Sequence, residues 1–269
     1  MVLLFTGMVA DKVWLLISVN TIPRAVFKVF LHLSLSCAMV IFATSLKTDS
    51  KVSQKSNPAS TKTIYIIRHG QTEFNKKGIV QGSGVDTDLN ETGIRQAHQF
   101  FNHYRHIPFS RVYVSALKRT HQTVAEFQKI GILQTIMEEL NEINWGSMEG
   151  AEPTPESHNI FVETLQKWQQ GMLDVAAAGG ESPNQLYARQ KTGLAKIMEA
   201  RDEDPVLICM HGRAMRSFIC LLTGTPLNQM DDFEHGNVCL YVLEKKADSP
   251  YFEIVIRNSR LHLHENYHT

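Results

Sequence analysis

The stretch IYIIRHGQTEFN, residues 64–75, joins an apolar run to a group of polar side chains. Its first four residues are β-branched or aromatic without polar alternation, a pattern typical of a strand that is buried on both faces of a sheet. Arg68 and His69 follow directly, before Gly70. Because ligands of open α/β sheets bind beyond the carboxyl ends of the strands, this stretch predicts a functional site at Arg68 and His69.

A second stretch, VLICMHG at residues 206–212, has the same design and ends on His211 and Gly212. Further strand patterns lie at residues 111–114, 238–243 and 252–256, and helical patterns separate most of them. This alternation predicts an α/β fold built in layers.

Three helix boundaries can be read from the residues. Asn90 is predicted to cap a helix that carries Ile94 and Phe101 on its apolar face. Two later helices are predicted to end at Gly131 and Gly224.

Two histidines at strand ends suit phosphoryl transfer, which needs several cations and a nucleophile that approaches phosphorus in line. A neutral imidazole is such a nucleophile and can form a covalent intermediate. Arg68 offers a planar fork for phosphate oxygens. Arg119, in the stretch VSALKRTHQT, is a second candidate cation because it lies where a helix begins and backbone N–H groups are free to bind an anion.

Hydrolysis also needs a proton for the leaving oxygen and later a base for water, and one carboxylate can serve in both steps. The stretch EELNEINWGSMEG supplies four candidates: Glu138, Glu139, Glu142 and Glu149. The residue types alone do not choose among them.

Composition excludes some classes of function. Lysine plus arginine and aspartate plus glutamate both total 27, so no global field attracts nucleic acid. The four cysteines have no CxxC spacing and are Cys37, Cys209, Cys220 and Cys239. We interpret them as core thiols, which predicts neither a disulfide framework nor a zinc site.

The N-terminal region differs from the rest. Residues 29–43 carry no fixed charge, and a run of this length falls between a signal-peptide core of about 7–15 residues and a membrane helix of about 17–25. We therefore expect a targeting or membrane segment at residues 1–46, a polar linker at 47–62 and a catalytic domain at 63–269. The chain would then be membrane-anchored or exported. The alternative is a mis-assigned start or an unrelated soluble extension, which would leave the protein in the cytoplasm.

The catalytic domain resembles the histidine phosphatases, the superfamily that includes cofactor-dependent phosphoglycerate mutase and fructose-2,6-bisphosphatase. The resemblance covers residues 63–264 and rests on ordered motifs: RHGQTEFN at 68–75, QGSGVDTDLNETGIRQA at 81–97, SALKRTHQT at 115–123, ELNEINWGSMEG at 139–150, GGES at 179–182, MHG at 210–212 and HGNVCLYVLE at 235–244. It implies a three-layer, mostly parallel sheet flanked by helices, as in phosphoglycerate mutase, and chemistry that requires no metal and no cofactor.

The resemblance also implies roles for individual residues. His69 matches the phosphohistidine nucleophile and Glu142 the proton donor, with His211 completing the catalytic set. The groups expected to bind the phosphoryl oxygens are Arg68, Asn75, Arg119, His211 and Gly212. Residues 82–89 are one residue longer than the usual family spacing, and the N-terminal sixty residues have no counterpart in common cytosolic members. Neither departure is expected to touch the catalytic residues.

The leading hypothesis is a phosphatase for small phosphomonoesters. The alternatives are a mutase, which returns the phosphoryl group to a second hydroxyl, and a catalytically dead module that binds phosphorylated ligands. A mutase needs extra cations for a second phosphate, whereas Lys167 is the only fixed cation between residues 147 and 178, against five acidic residues. Phe161, Leu165, Trp168 and Met172 in this segment favour a neutral or partly apolar leaving group.

Overall fold

The computed structural model describes residues 3–9, 12–18 and 62–263, and the chain divides into two compact units, Met1–Gln54 and Lys55–Thr269. The first unit contains an antiparallel pair of strands, β1 (Leu3–Val9) and β2 (Lys12–Ser18). The charge-free run at 29–43, Cys37 and most of the predicted linker lie outside the described residues. Within the described ranges no helix combines the length and the apolar character that a membrane span requires.

The second unit contains the remaining helices and strands. In chain order these are β3 (Lys62–Arg68), α1 (Glu73–Lys77), α2 (Glu91–Tyr104), β4 (Arg111–Val114), α3 (Lys118–Lys129), β5 (Gln134–Ile136), α4 (Pro155–Gln169), α5 (Pro183–Glu199), β6 (Val206–Met210), α6 (Gly212–Thr223), β7 (Leu240–Lys245) and β8 (Glu253–Ser259). The strand order is β5-β4-β6-β3-β7-β8, and β7 alone runs against the others. The predicted mostly parallel α/β sheet is confirmed.

Helices cover both faces of the sheet, because the central strands are apolar on both sides. Ile64 and Ile66 of β3 belong to a core that also contains residues of α5 and α6. Ile67 belongs to a second core, formed with Phe100 of α2 and Phe127 of α3. The second unit therefore folds as three layers, as the family resemblance implied.

Several boundaries agree with the sequence. The side chain of Asn90 caps α2 by accepting from Gly93 N–H, and Gly131 and Gly224 both have positive φ just after a helix. Cys209, Cys220 and Cys239 are buried free thiols, as predicted.

Other details differ. Ile94 is 59% exposed, because the buried face of α2 is formed by Gly93, Ala97, Phe100, Phe101 and Tyr104. β7 begins at Leu240 rather than at Val238, whose φ of 54° is incompatible with an extended strand. The short edge strand β5 was not predicted, since its three residues, QTI, are too few to show a period.

Candidate active site

Two histidines meet beyond the carboxyl ends of the central strands. The parallel register of β3 and β6 pairs Arg68 with Met210, and the next N–H, that of His69, donates to Met210 O at 2.9 Å. The ring centroids of His69 and His211 are consequently 5.2 Å apart, and the two residues are 3% and 0% exposed. The sheet thus brings together both strand-end histidines that the sequence singled out.

The tautomer of His69 is fixed by its neighbour. Its Nδ1 lies 2.7 Å from Gly70 O, and because a carbonyl oxygen only accepts, Nδ1 carries the proton and Nε2 keeps its lone pair. The Gly70 N–H in turn donates to Thr123 Oγ1 at 2.9 Å. The imidazole is therefore oriented with a nucleophilic nitrogen on the side opposite the backbone.

Arg119 connects the second histidine to the rim of the site. Its Nε donates to His211 Nδ1 at 3.1 Å, so the His211 proton is on Nε2, which donates to Ser115 Oγ at 2.8 Å. The Arg119 Nη1 and Nη2 groups donate to Val85 O and Gly82 O at 2.7 and 3.2 Å. Since a guanidinium has five N–H groups, two remain to bind an anion.

The electrostatics keep both histidines neutral. Burial, followed by the positive charge of Arg119, lowers the pKa of His69 well below 6.5, and Arg68 acts in the same direction. The same causes lower the pKa of His211. Burial also lowers the pKa of Arg119 to about 10, which leaves that side chain charged at neutral pH.

Arg68 ends β3 and lies beside His235. Its Nη1 is 3.2 Å from His235 Nδ1, which must accept because a guanidinium only donates. The buried Arg68 Nε has no hydrogen-bond partner among the described residues. An unpartnered buried N–H of a cation is costly, and a phosphoryl oxygen is a suitable acceptor for it.

Asn75 reaches the site from the first turns after β3. Its Oδ1 accepts from Thr72 N–H at 3.2 Å and from Asn237 Nδ2 at 3.1 Å. Asn237 Nδ2 also donates to His69 O at 3.0 Å. With its oxygen occupied twice, Asn75 presents its amide NH₂ as the end that can donate to a ligand.

The Glu142 carboxylate lies at the N-terminus of α6. Its Oε1 accepts from the N–H groups of Ile143 and Ala214 at 2.9 and 2.7 Å, and its Oε2 accepts from Arg213 N–H at 3.0 Å. Gly212 is the first residue of this helix, so its N–H has no acceptor within the helix. Among the four glutamates that the sequence left open, Glu142 is the buried one, with a side chain that is 6% exposed. It lies near the ends of the strands that precede the two histidines.

Arg189 of α5 holds the backbone of Glu142. Its Nη2 donates to the carbonyl oxygens of Asn141 and Glu142 at 2.9 and 3.0 Å, and its Nη1 donates to Glu139 O at 2.9 Å. The Glu181 carboxylate binds the same guanidinium through both oxygens, at 2.7 and 2.9 Å. The GGES motif and α5 thus fix the turn that carries Glu142.

The loop at 82–89, which is one residue longer than the usual family spacing, contacts Arg119 at the rim of the site. The carbonyl oxygens of Gly82 and Val85 turn onto the guanidinium of Arg119. The Glu149 carboxylate packs against Gly82 and leaves no room for a side chain there. The loop therefore takes part in holding Arg119 at the rim of the site.

The aromatic residues of α4 do not form a leaving-group pocket in the way the sequence suggested. Trp168 is 1% exposed, stacks on Trp145 with centroids 5.2 Å apart and donates from Nε1 to Val175 O at 2.8 Å. Phe161 packs against the same core. Their spacing reflects core packing, so the argument for an apolar leaving group loses its support.

Sequence reasoning missed several residues that hold the site in place. Ser115 follows β4 as His69 follows β3, so the strand-end rule would have found it. Asn237 and His235 precede β7 within a motif that was recognised, but no role was assigned to them. Arg189 belongs to a helix, where an arginine is usually exposed to solvent. No local sequence pattern indicates that it binds carbonyl groups.

The chain belongs to the histidine phosphatase superfamily (branch 1), whose family model matches residues 64–257. Phosphoserine phosphatase 1 of Hydrogenobacter thermophilus is 29% identical over 181 residues, which cover 67% of this chain and 85% of that protein. The metal-independent phosphoserine phosphatase of Arabidopsis thaliana is 29% identical over 207 residues, covering 71% and 84% of the two chains.

A solved structure has the same fold. The α-ribazole phosphatase of Shigella flexneri superposes with a TM-score of 0.64 at 23% identity, over 73% of this chain and 96% of that one. The sheet order and the three layers described above are therefore those of phosphoglycerate mutase-like histidine phosphatases.

Proposed function

We propose that this protein is a phosphatase that hydrolyses small phosphate monoesters through a covalent phosphohistidine on His69, without a metal ion. The observation that carries the proposal is the state of His69. Its Nδ1 proton is committed to Gly70 O, its depressed pKa keeps the ring neutral, and two arginines lie beside it. A neutral nucleophile among cations is what attack on a phosphate dianion requires.

In the first step His69 Nε2 attacks phosphorus, the N–P bond forms and the bond to the leaving oxygen breaks. Glu142 gives its proton to that oxygen, which leaves as an alcohol. Arg68, Arg119 and Asn75 donate hydrogen bonds to the phosphoryl oxygens, whose charge is greatest as the bonds exchange.

In the second step a water molecule attacks the phosphohistidine. The Glu142 carboxylate, now without its proton, takes one from this water, and inorganic phosphate leaves as the N–P bond breaks. The three backbone N–H groups around the carboxylate still leave a lone pair on Oε2 that can hold the transferred proton.

The test is a chemical trap of the intermediate. The full chain is mixed with a ³²P-labelled monoester, with O-phosphoserine first because two relatives are phosphoserine phosphatases, and quenched in alkaline detergent. We expect a protein-bound label that is stable to base and labile to acid, absent from His69→Ala and present in the control His106→Ala, whose side chain is exposed. Label retained by a folded His69→Ala would refute the assignment.

We also propose that the N-terminal segment takes the chain to a membrane. The support is the charge-free run at 29–43 in the sequence. Fractionation of cells that express the full chain tests it, as described below.

A further inference from the structure

A recess of about 360 Å³ lies beside Arg68, on the side of its guanidinium that meets His235. The residues that line it are Arg216, Glu234, His235, Asn258 and Arg260. None of them has a role in the hydrolysis proposed above.

Arg260 contributes an uncompensated charge. Among the described residues its side chain makes no hydrogen bond and no ion pair, and its guanidinium lies directly on the bare backbone of Gly236. Any side chain at residue 236 would occupy the position of this guanidinium. The absence of a side chain at Gly236 therefore leaves the space in which the Arg260 guanidinium lies.

The charges around the recess do not balance. Four arginines lie there, Arg68, Arg213, Arg216 and Arg260, and they act on one another or on His235 electrostatically. Three carboxylates oppose them, and one of these, Glu142, attracts Arg68. Asp231 is shared by Arg213 and Arg216, and Glu234 accepts from the Asn258 amide at 3.1 Å.

His235 adds nothing to the remaining excess of one positive charge. Burial and then the charge of Arg68 lower the pKa of His235 to about 2, so the ring is neutral. A partly open recess with surplus arginine charge favours an anion over water.

The recess borders the residues that surround the nucleophile. His235 contacts Arg68, and Gly236 supports Arg260. The next residue, Asn237, donates to His69 O and to Asn75 Oδ1 at 3.0 and 3.1 Å. One short segment thus connects the recess with the phosphoryl site.

We propose that the recess formed by Arg216, His235 and Arg260 binds a second anionic group, a carboxylate or a phosphate. The proposal rests on the proposed function, which places the first anion at Arg68 and Arg119. The second anion comes either from the leaving group of the substrate itself or from a free small molecule, and the experiment separates these two sources.

The experiment compares two monoesters that differ by one carboxylate, O-phospho-L-serine and O-phosphoethanolamine. Their binding to the full chain carrying His69→Ala is measured by calorimetry, so that no turnover is needed. Because a hydrogen bond to a charged group is lost, Arg260→Gln should reduce the preference for phosphoserine about tenfold. Arg201→Gln removes the same charge from an exposed residue outside the recess and should leave the preference unchanged.

Gly236→Ala is the second variant. It keeps every charge, but its methyl group takes the space that the Arg260 guanidinium occupies. It should therefore also reduce the preference for phosphoserine. To test whether the recess binds a free anion, malonate is titrated into the same His69→Ala chain after it has been saturated with O-phosphoethanolamine. Malonate binding that disappears in Arg260→Gln would assign the recess to a free anion.

An unchanged preference in Arg260→Gln and Gly236→Ala, together with no binding of malonate, would overturn the proposal. Failure of the proposed function has a different signature. A wild-type chain that releases phosphate from no monoester would refute the hydrolysis, while the calorimetric comparison would still decide the recess.

Discussion

Replacing Glu142 by glutamine separates the structural role of this side chain from its role in proton transfer. Glutamine has one acceptor oxygen, whereas the carboxylate accepts from three backbone N–H groups. The amide oxygen is expected on the side of Ile143 and Ala214, where two donors converge, and its NH₂ then faces Arg213 N–H. One hydrogen bond to a charged acceptor is lost, and the N-terminus of α6 loses a negative charge.

The expected cost follows from these two losses. A hydrogen bond to a charged group contributes about 1.5–3 kcal/mol, and a charge at a helix N-terminus about 0.5 kcal/mol. Glu142→Gln should therefore lower the free energy of unfolding by about 2–3 kcal/mol, measured by urea denaturation. The kinetic assays must be run well below the melting temperature of the variant.

The kinetic effect should depend on the leaving group. General acid catalysis is worth about 10²–10⁴-fold, so kcat/KM for alkyl phosphates should fall by about that factor. The value for p-nitrophenyl phosphate, whose leaving oxygen hardly needs a proton, should fall far less. Glu139→Gln is the control, because Glu139 is paired with Lys196 away from the histidines. Equal losses for both substrates in Glu142→Gln would refute its role as the acid.

Three further predictions concern a supporting residue, pH and location. Arg189→Gln breaks the ion pair with Glu181 and leaves several carbonyl groups unpaired. The free energy of unfolding, measured by urea denaturation, should therefore fall by about 3 kcal/mol, and a change below about 0.5 kcal/mol would contradict the assigned contacts. His69, His211 and His235 stay neutral when folded but take up protons near pH 6.5 when unfolded. Stability should therefore fall as pH drops below 6.5, by about 4 kcal/mol between pH 7 and 5.5 for three histidines; constant stability over this range would refute their neutral state. The full chain should sediment with membranes and resist a high-salt wash, and recovery of uncleaved chain in the soluble fraction would contradict the proposed membrane targeting.

The sheet and the two strand-end histidines could be predicted because they depend on short, strong patterns. A strand buried on both faces needs apolar residues in succession, and β3 and β6 have them. Parallel neighbours end at the same edge, so the polar residues that follow them must meet. Ser115 follows from the same rule, applied to β4.

Other parts of the site depend on contacts between distant residues. Arg189 binds carbonyl groups about fifty residues earlier in the chain, and carbonyl groups are the same in every residue. For the same reason, the sequence does not show that the carbonyl groups of the loop at 82–89 bind Arg119. A longer loop was recognised, but the contact of Glu149 with Gly82 joins residues that are far apart in the sequence.

The choice between a phosphatase and a mutase shows how such contacts change an argument. Counting cations between residues 147 and 178 finds only Lys167, and in the structure this side chain is exposed on α4. The cations near Arg68 come instead from α6 and from the residue after β8, Arg260. A second anion is therefore not excluded, contrary to what the count suggested.

A mutase, however, must present each of two phosphoryl groups in turn to the same nucleophile. The recess at Arg260 is lined by His235, whose ring contacts Arg68, so we expect a group bound there to lie beside Arg68 rather than in line with the nucleophile. This arrangement suits a substrate that binds in one orientation and loses its phosphoryl group to water, and we therefore favour hydrolysis of a monoester whose leaving group carries its own negative charge.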